Sequence, residues 1–422
     1  MKEDFLHYIW KFKRLSPGKL VTETGESLQI LSFGTHNKHA GPDFLNAKIK
    51  IAGQLWAGNV ELHIKSSHWY AHHHEKDAAY NNVILHVVWE HDVEVFNSGN
   101  GSIPTLALKD RIDSSTLAAY NNLLYRKKHF INCENQINTV DEFFWERWLE
   151  RLFFERLEQK AKLINAELEH AKNDWEAVLF KMLCKNFGLK VNADAFLEIA
   201  NTVPYTVIRK NSVDKKLLEA LFYGTSLMLN ENCTDVYFIE LKENYTYIKH
   251  KYKLVQAPFK PKYFSLRPRN FPTIRLSQLA AVYHSETSLF QKIINIRSAE
   301  GFYKLFSVST SSYWNNHYTF GKQSASGARK KISKNFIDLL IINTIVPIKF
   351  CYAKSKGKDA GEEILALIGE LKKEKNAVLN KFESIGLTIG SAIHSQATLQ
   401  LYKQYCSKNK CLECEIGVKL IQ

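Results

Sequence analysis

Apolar residues recur along the first 130 positions with two different periods, and each change of period marks an element. Phe5, Ile9 and Phe12 stand at helical spacing, which predicts a short helix at the start. Leu28-Gln29-Ile30-Leu31-Ser32-Phe33 reads as a strand. Residues 44–51 and 55–65 read as two further strands joined by the turn Ala52-Gly53-Gln54, since apolar runs flanking a glycine turn favour a hairpin. Residues 69–80 are compatible with a helix. Val83-Ile84-Leu85-His86-Val87-Val88-Trp89 is nearly continuous apolar sequence of the kind covered on both faces of a sheet. The predicted order is helix, three strands, helix, strand.

From residue 141 to about 229 the period becomes helical throughout, as in Trp145, Leu149, Leu152, Phe153 and Leu157, with Asn192 and Pro204 as punctuation. Helical patterns resume at Leu276 and run on with breaks around 307–327 and 355–358. The expected class is α+β, with an α/β domain over residues 1–130 and a mainly helical region over 131–422. A chain of 422 residues is long enough for two or three separate cores.

The candidate chemistry lies in the first region. Gly41-Pro42-Asp43-Phe44 precedes the hairpin, and Val60-Glu61-Leu62-His63-Ile64-Lys65 forms its second arm. Period-2 alternation puts Val60, Leu62 and Ile64 on one face and Glu61, His63 and Lys65 on the other. Hard cations such as Mg²⁺ or Mn²⁺ bind through one or two carboxylates plus water and substrate phosphate, so Asp43 and Glu61 suffice as ligands. These residues resemble the PD-(D/E)xK nuclease superfamily, whose core is a helix, a three-stranded meander, a helix and a further strand. The resemblance implies a restriction-endonuclease-like fold. It makes Asp43 and Glu61 the metal ligands with the backbone carbonyl of Leu62, and puts His63 where lysine is usual. Histidine orients or deprotonates water if its pKa lies near neutrality, and Lys65, one pleat further on, is the candidate for the missing positive charge. The superfamily often adds an acid from the first helix, for which Glu3 is the nearest candidate and Glu26 a weaker one.

Ser67-His68-Trp69-Tyr70-Ala71-His72-His73-His74, followed by Asp77 and Tyr80, adds imidazoles near this motif. On a helix His68 and His72 share one face, and His73, Asp77 and Tyr80 another. A supporting role beside the cleft is one reading, an exposed histidine-rich face the other. His86, inside an apolar strand, reads as a core histidine.

Charge then separates the two regions. Of the net +14, residues 1–130 contribute +2, from 15 basic against 13 acidic side chains, and the rest of the chain +12. Residues 246–284 contain no acid and carry Lys260, Lys262, Arg267, Arg269 and Arg275 among aromatics such as Phe259, Tyr263, Phe264 and Phe271. Residues 301–337 are also free of acids, with Arg329, Lys330 and Lys331 downstream of Tyr313, Trp314 and Tyr318. Basic side chains neutralise phosphates and aromatic faces stack on bases, so both stretches are candidate DNA or RNA contacts. Leu266 to Arg275 carries two prolines and is expected to form a rigid extended loop presenting three arginines.

Seven cysteines without a signal peptide argue against a disulfide framework. The start Met1-Lys2-Glu3-Asp4 lacks the basic and apolar regions of a leader, and the apolar run 336–352 is interrupted by Asp338, Asn343, Pro347 and Lys349. The expectation is a cytoplasmic protein without a membrane span. Cys406, Cys411 and Cys414 crowd together late in the chain, a density that suits zinc or an iron–sulfur cluster given a fourth ligand. Cys133 is the favoured fourth and His394 the alternative; reduced thiols packed at a helix end and a redox pair are the other readings.

Ala40-Gly41-Pro42-Asp43-Phe44, Asn59 to Ser67, Phe271-Pro272-Thr273-Ile274-Arg275, Ile342-Asn343-Thr344-Ile345-Val346-Pro347 and Lys410-Cys411-Leu412-Glu413-Cys414 are similar to an uncharacterised bacterial family. That similarity spans nearly the whole chain and imports no activity. The expected function is metal-dependent phosphodiester hydrolysis in DNA or RNA, with the helical region holding the nucleic acid. The alternative is a non-catalytic nucleic-acid-binding or scaffold protein on a nuclease-derived fold.

Overall fold

Helix α1, Glu3–Lys11, buries Phe5, Leu6, Tyr8, Ile9 and Trp10. Glu3 and Asp4 in its first turn and Lys11 in its last match the helix dipole. The computed structural model describes residues 1–125, 130–325 and 327–421. After α1 come β1 (Leu20–Val21), β2 (Ser27–Ser32), β3 (Thr35–His36), β4 (Phe44–Ile51) and β5 (Gln54–Lys65). These pair antiparallel as β1-β2-β4-β5, with β3 on β4. Ala52 and Gly53, both at positive φ, turn β4 into β5 with Ile51 opposite Gln54, the backbone that a two-residue hairpin loop requires. A short crossover through α2 (His68–Ala71) leads to β6 (Val83–Glu90), parallel to β5, and β7 (Thr105–Ala107) extends the sheet parallel to β6.

One sheet face buries Phe44, Ala47, Ile49, Val60, Leu62, Leu85 and Val87 with the apolar side of α1 and with Tyr120 and Leu123 of helix α3 (Ser114–Tyr125). Six consecutive residues of β6, Val83 to Val88, are buried, as expected of a strand covered on both sides. A smaller cluster of Trp69, Val83, Val95 and Ile103 lies under the crossover. The observed order of α1, an antiparallel meander, a crossover and a parallel strand matches the order expected from the sequence. The crossover differs. Residues 69–80 form one α turn and two 3₁₀ turns, because His73 adopts a left-handed conformation (φ 61, ψ 30) that ends the helix after four residues.

The chain divides into two compact units that do not follow a 1–130 and 131–422 partition. The first comprises Met1–Trp148, Lys381–Leu387 and the stretch from Leu401 onward; the second comprises Leu149–Asn380 and Thr388–Gln400. The reason for the return is apolar: Cys411 and Ile421 are buried in the same core as α1 and β5, and Leu412, Val418 and Leu420 pack on it.

The second unit is mainly helical. Asn192 does not interrupt it. It sits buried inside the helix Leu189–Thr202 and clamps the backbone N–H (2.7 Å) and C=O (2.8 Å) of Lys262. The proline-rich segment is not the extended loop expected: Pro268–Asn270 form a 3₁₀ turn between Arg267 and Phe271, and Pro272 starts a helix that runs to Ser285, proline being favoured at the first helical position. The run 334–355 is long and apolar enough to cross a membrane, and 67% of its apolar 18-residue window is buried inside the fold. Within it Ile341–Ile345 form a π-helical turn ahead of Pro347. Proline has no N–H to donate, and Lys160 Nζ reaches the Ile342 carbonyl at 3.2 Å, with Asn343 Oδ1 at 3.0 Å.

Candidate active site

Asp43 and Glu61 meet at the start of the β4–β5 pair. Gly41, at φ 98, makes the approach to Asp43, and Asn37 braces it by donating to the carbonyls of Ala40 and Pro42 while its own N–H bonds the Asp43 carbonyl. Directly after Asp43 the ladder slips between Phe44 and Ala47, where Asn46 takes a left-handed conformation. This bulge interrupts the backbone ladder just beyond Asp43. The Asp43 N–H donates to Glu61 Oε2 at 3.0 Å, and Asp43 Oδ2 accepts the Leu62 N–H at 2.9 Å. In a strand the carbonyl of a residue points to the same side as its N–H, so the Leu62 carbonyl also faces Asp43.

Two groups from α1 complete this corner. His7 Nε2 lies 3.1 Å from Asp43 Oδ2, and Glu3, one turn earlier, lies 3.5 Å from His68 Nδ1. Burial pulls the His7 pKa down, but the Asp43 carboxylate more than offsets it, so His7 holds its proton to a higher pH than an ordinary histidine. Glu26 instead belongs to the β1–β2 turn, where Thr24 and Thr22 bond it. Glu61 is 5% exposed, and burial, reinforced by the Asp43 charge, raises its pKa against the pull of His74.

His63 is 1% exposed and sits among imidazoles. Its Nδ1 lies 2.8 Å from His86 Nε2, its Nε2 lies 3.1 Å from His72 Nδ1, and the same Nε2 is 3.7 Å from Glu61 Oε1. His74 Nε2 is 3.4 Å from that oxygen. Burial and the surrounding imidazoles push the His63 pKa down to about 2, and burial takes His86 to about 3. Both rings are therefore neutral over the working pH range. This corrects the expectation of a base poised near neutrality: so weak a base accepts few protons from water, but its lone pair stays available to a ligand. Lys65 is exposed at the end of β5, about 13 Å of extended strand beyond Glu61. Its charge acts on Asp92, which caps the following turn through Ser66 and Ser67.

Sequence reasoning missed His7 and the convergence of His72 and His74. A signal was present: eleven of the sixteen histidines fall within residues 1–130, and His7 stands four residues after Glu3, on the same helix face.

Cys133, Cys406, Cys411 and Cys414 all belong to the first unit. The Cys406 thiol feels the other three, and burial is the main reason that its pKa is raised. Burial likewise pushes Cys133 up to about 12 and Cys414 to about 11. Asn132 Nδ2 donates to Cys411 Sγ at 3.2 Å. His394, the alternative fourth ligand, belongs to the second unit. Buried thiols of this kind ionise only with a cation among them.

The basic candidates separate by exposure. Lys262, Arg267, Arg269, Arg329 and Lys331 are exposed, and Phe264 beside the first three is 87% exposed. Lys260 pairs with Glu231. Arg275 is buried with its guanidinium 3.5 Å from the Phe336 ring centroid and bonded to Gln278 and Asn270. Lys330 is buried, bonds the carbonyls of Trp314 and Asn315, and lies over Tyr318. Arg275 and Lys330 are thus removed from the expected phosphate contacts. Trp314 is fully buried and Tyr313 stacks between Tyr237 and His317, so these aromatics pack inside the fold rather than present faces to bases.

Comparison with curated proteins and with solved structures finds no match to the chain. A family model described as "Protein of unknown function (DUF2851)" matches residues 3–377. The match takes in α1, the whole sheet, the Asp43–Glu61 corner and most of the helical unit, and the chain accordingly belongs to the DUF2851 family.

Proposed function

We propose that the chain is a divalent-metal-dependent phosphodiesterase acting on nucleic acid, built on a PD-(D/E)xK-like core. The observation that carries this reading is the meeting of Asp43 and Glu61, from adjoining strands, in a helix, antiparallel meander, crossover and parallel strand. Two neighbouring carboxylates with a backbone carbonyl beside them are a donor set suited to a divalent cation. Asp43, Glu61 and the Leu62 carbonyl would hold Mg²⁺ or Mn²⁺, which supplies polarisation of the scissile phosphate and a lowered pKa for bound water. His7, whose pKa is raised by Asp43, would offset negative charge at the corner wherever it holds its proton. His63, neutral and fixed by His86, would orient water rather than deprotonate it.

Exposed Lys262, Arg267, Arg269, Arg329 and Lys331, with Phe264, support nucleic acid as the polymer bound. Cys133, Cys406, Cys411 and Cys414 would hold zinc or an iron–sulfur cluster that fastens the C-terminal segment to the first unit. A reducing, cytoplasmic setting belongs to the same proposal, since all seven cysteines are free thiols.

The test is cleavage of labelled single- and double-stranded DNA and RNA with Mg²⁺, Mn²⁺ or chelator. Metal-dependent cleavage lost in both Asp43→Ala and Glu61→Ala is the expected result, and undiminished cleavage by either variant would falsify the assignment. One observation favours a second reading, a binder that does not cut: Lys65 stands far from Glu61, and His63 occupies the usual place of the lysine. Such a protein would bind nucleic acid with steep salt dependence and show no turnover under any metal.

A further inference from the structure

We propose that His63, His72 and His74, together with Glu61, form a binding site for a divalent transition metal of the zinc class. The three histidines each offer a ring nitrogen within 4.8 Å of the others. His63 Nε2 to His72 Nδ1 is 3.1 Å, His74 Nε2 to Glu61 Oε1 is 3.4 Å, and His63 Nε2 to Glu61 Oε1 is 3.7 Å. Four ligands bound tetrahedrally at about 2.0–2.1 Å stand roughly 3.3 Å apart. The three histidines form the compact part of such a shell, and Glu61 Oε1 adjoins it beside His63 and His74.

The chain builds this shell from one strand and one turn. His63 comes from the polar face of β5. The left-handed residue His73 reverses the backbone, so that His72 and His74 both approach His63 while His73 itself is exposed. His74 is held by Tyr80 stacked at 3.8 Å and by Trp69, which is fully buried. His86 stands behind His63, with its Nε2 facing His63 Nδ1. In the tautomer where His63 Nδ1–H donates to His86, the His63 Nε2 lone pair points into the cluster; a ligating histidine whose other nitrogen is fixed in this way has its orientation set.

A second observation points to a ligand. His74 Nε2 is buried and poorly aligned for a regular hydrogen bond with Glu61 Oε1, 3.4 Å away, although the two groups still interact. Buried polar atoms are normally satisfied. A cation accepting this lone pair supplies the partner. Three imidazoles and one carboxylate suit zinc, cobalt or manganese better than magnesium, which prefers oxygen. His72 is exposed, so the shell opens to water on that side, as catalytic rather than structural zinc sites do.

This site does not depend on the phosphodiesterase reading, although the two share Glu61, whose Oε2 faces the Asp43 N–H and Oε1 the imidazoles, and His63, which here binds the cation rather than water. The experiment uses full-length chain stripped with chelator and titrated with Co²⁺ and Zn²⁺, followed by visible absorption, metal content and thermal melting. Wild type is expected to gain the visible bands of a low-coordinate nitrogen- and oxygen-ligated cobalt site, in addition to any thiolate charge-transfer band from the cysteine cluster, and a higher melting temperature with Zn²⁺. His72→Ala, an exposed position that leaves the core intact, and His74→Gln are expected to weaken this binding at least ~10-fold. Asp43→Ala should keep it, even where it abolishes cleavage. If cobalt gives only thiolate-type spectra, or if binding is unchanged in His72→Ala and His74→Gln, the site does not exist, whatever the cleavage assay shows.

Discussion

Arg275 and Lys330 show how a cation read from sequence as a surface feature is used inside the fold. Burial drags the Arg275 pKa down to about 10, yet the guanidinium lies on Phe336 and bonds two side-chain oxygens. Arg275→Ala is expected to destabilise the chain by about 2 kcal/mol in urea unfolding, leaving nucleic-acid affinity unchanged, whereas Arg269→Ala should do the reverse. Equal loss of affinity in both would return Arg275 to the binding surface. Glu219 supplies a pH prediction. It is fully buried and accepts from Ser277, Ser311 and Tyr237, and burial raises its pKa above the ordinary 4.5. Between that ordinary value and its raised one, the folded chain binds more protons than the unfolded chain. Stability therefore falls as pH rises through that window. Glu219→Gln should flatten the fall in urea midpoint; a slope identical to wild type would show that the hydroxyl donors already neutralise the cost.

At the scale of elements, the placement of β5 between an antiparallel and a parallel neighbour decides where the candidate ligands stand. Gly58 lies where β5 passes the beginning of β6. A Cβ there would come within 2.4 Å of Ile84 Cγ2 and 2.6 Å of the Asn82 carbonyl oxygen. Gly58→Ala is expected to lower stability by roughly 1–3 kcal/mol, measured as a drop in melting temperature, because a backbone oxygen cannot swing aside as a side chain can. An unaltered melting temperature would mean that the two strands have slack. The strands themselves were legible, since β2, β4, β5 and β6 each follow period 2 or a continuous apolar run. The crossover was not. Its histidines fit a helical repeat equally well, and only the left-handed turn at His73 separates the two outcomes.

For the whole molecule, the return of the C-terminal segment is the decisive feature. Residues from Leu401 onward belong to the first unit, and Cys411 and Ile421 fill its core. Truncation after Tyr405 should therefore make residues 1–148 sensitive to protease while the helical unit stays resistant, read by limited proteolysis and mass spectrometry. Resistance of both units would show that the first core is complete without its C-terminal partner. The cysteine spacing hinted at this return. Composition could not show it, because the two halves of the core are separated by more than 250 positions of other sequence.

The sequence by itself determined the alternation that aims Glu61 and His63 to one side of β5, the helical character beyond residue 141, and the inventory of carboxylates, imidazoles and thiols. These follow from neighbours a few positions apart, where periodicity and turn chemistry act. Only the tertiary structure decided that His63 is neutral, that His7 joins Asp43, that His72 and His74 meet His63, and that Arg275 and Lys330 are buried while Arg267 and Arg269 face water. Each of those depends on desolvation or on contact between distant segments, and burial shifts a charge equilibrium by amounts that no local pattern encodes.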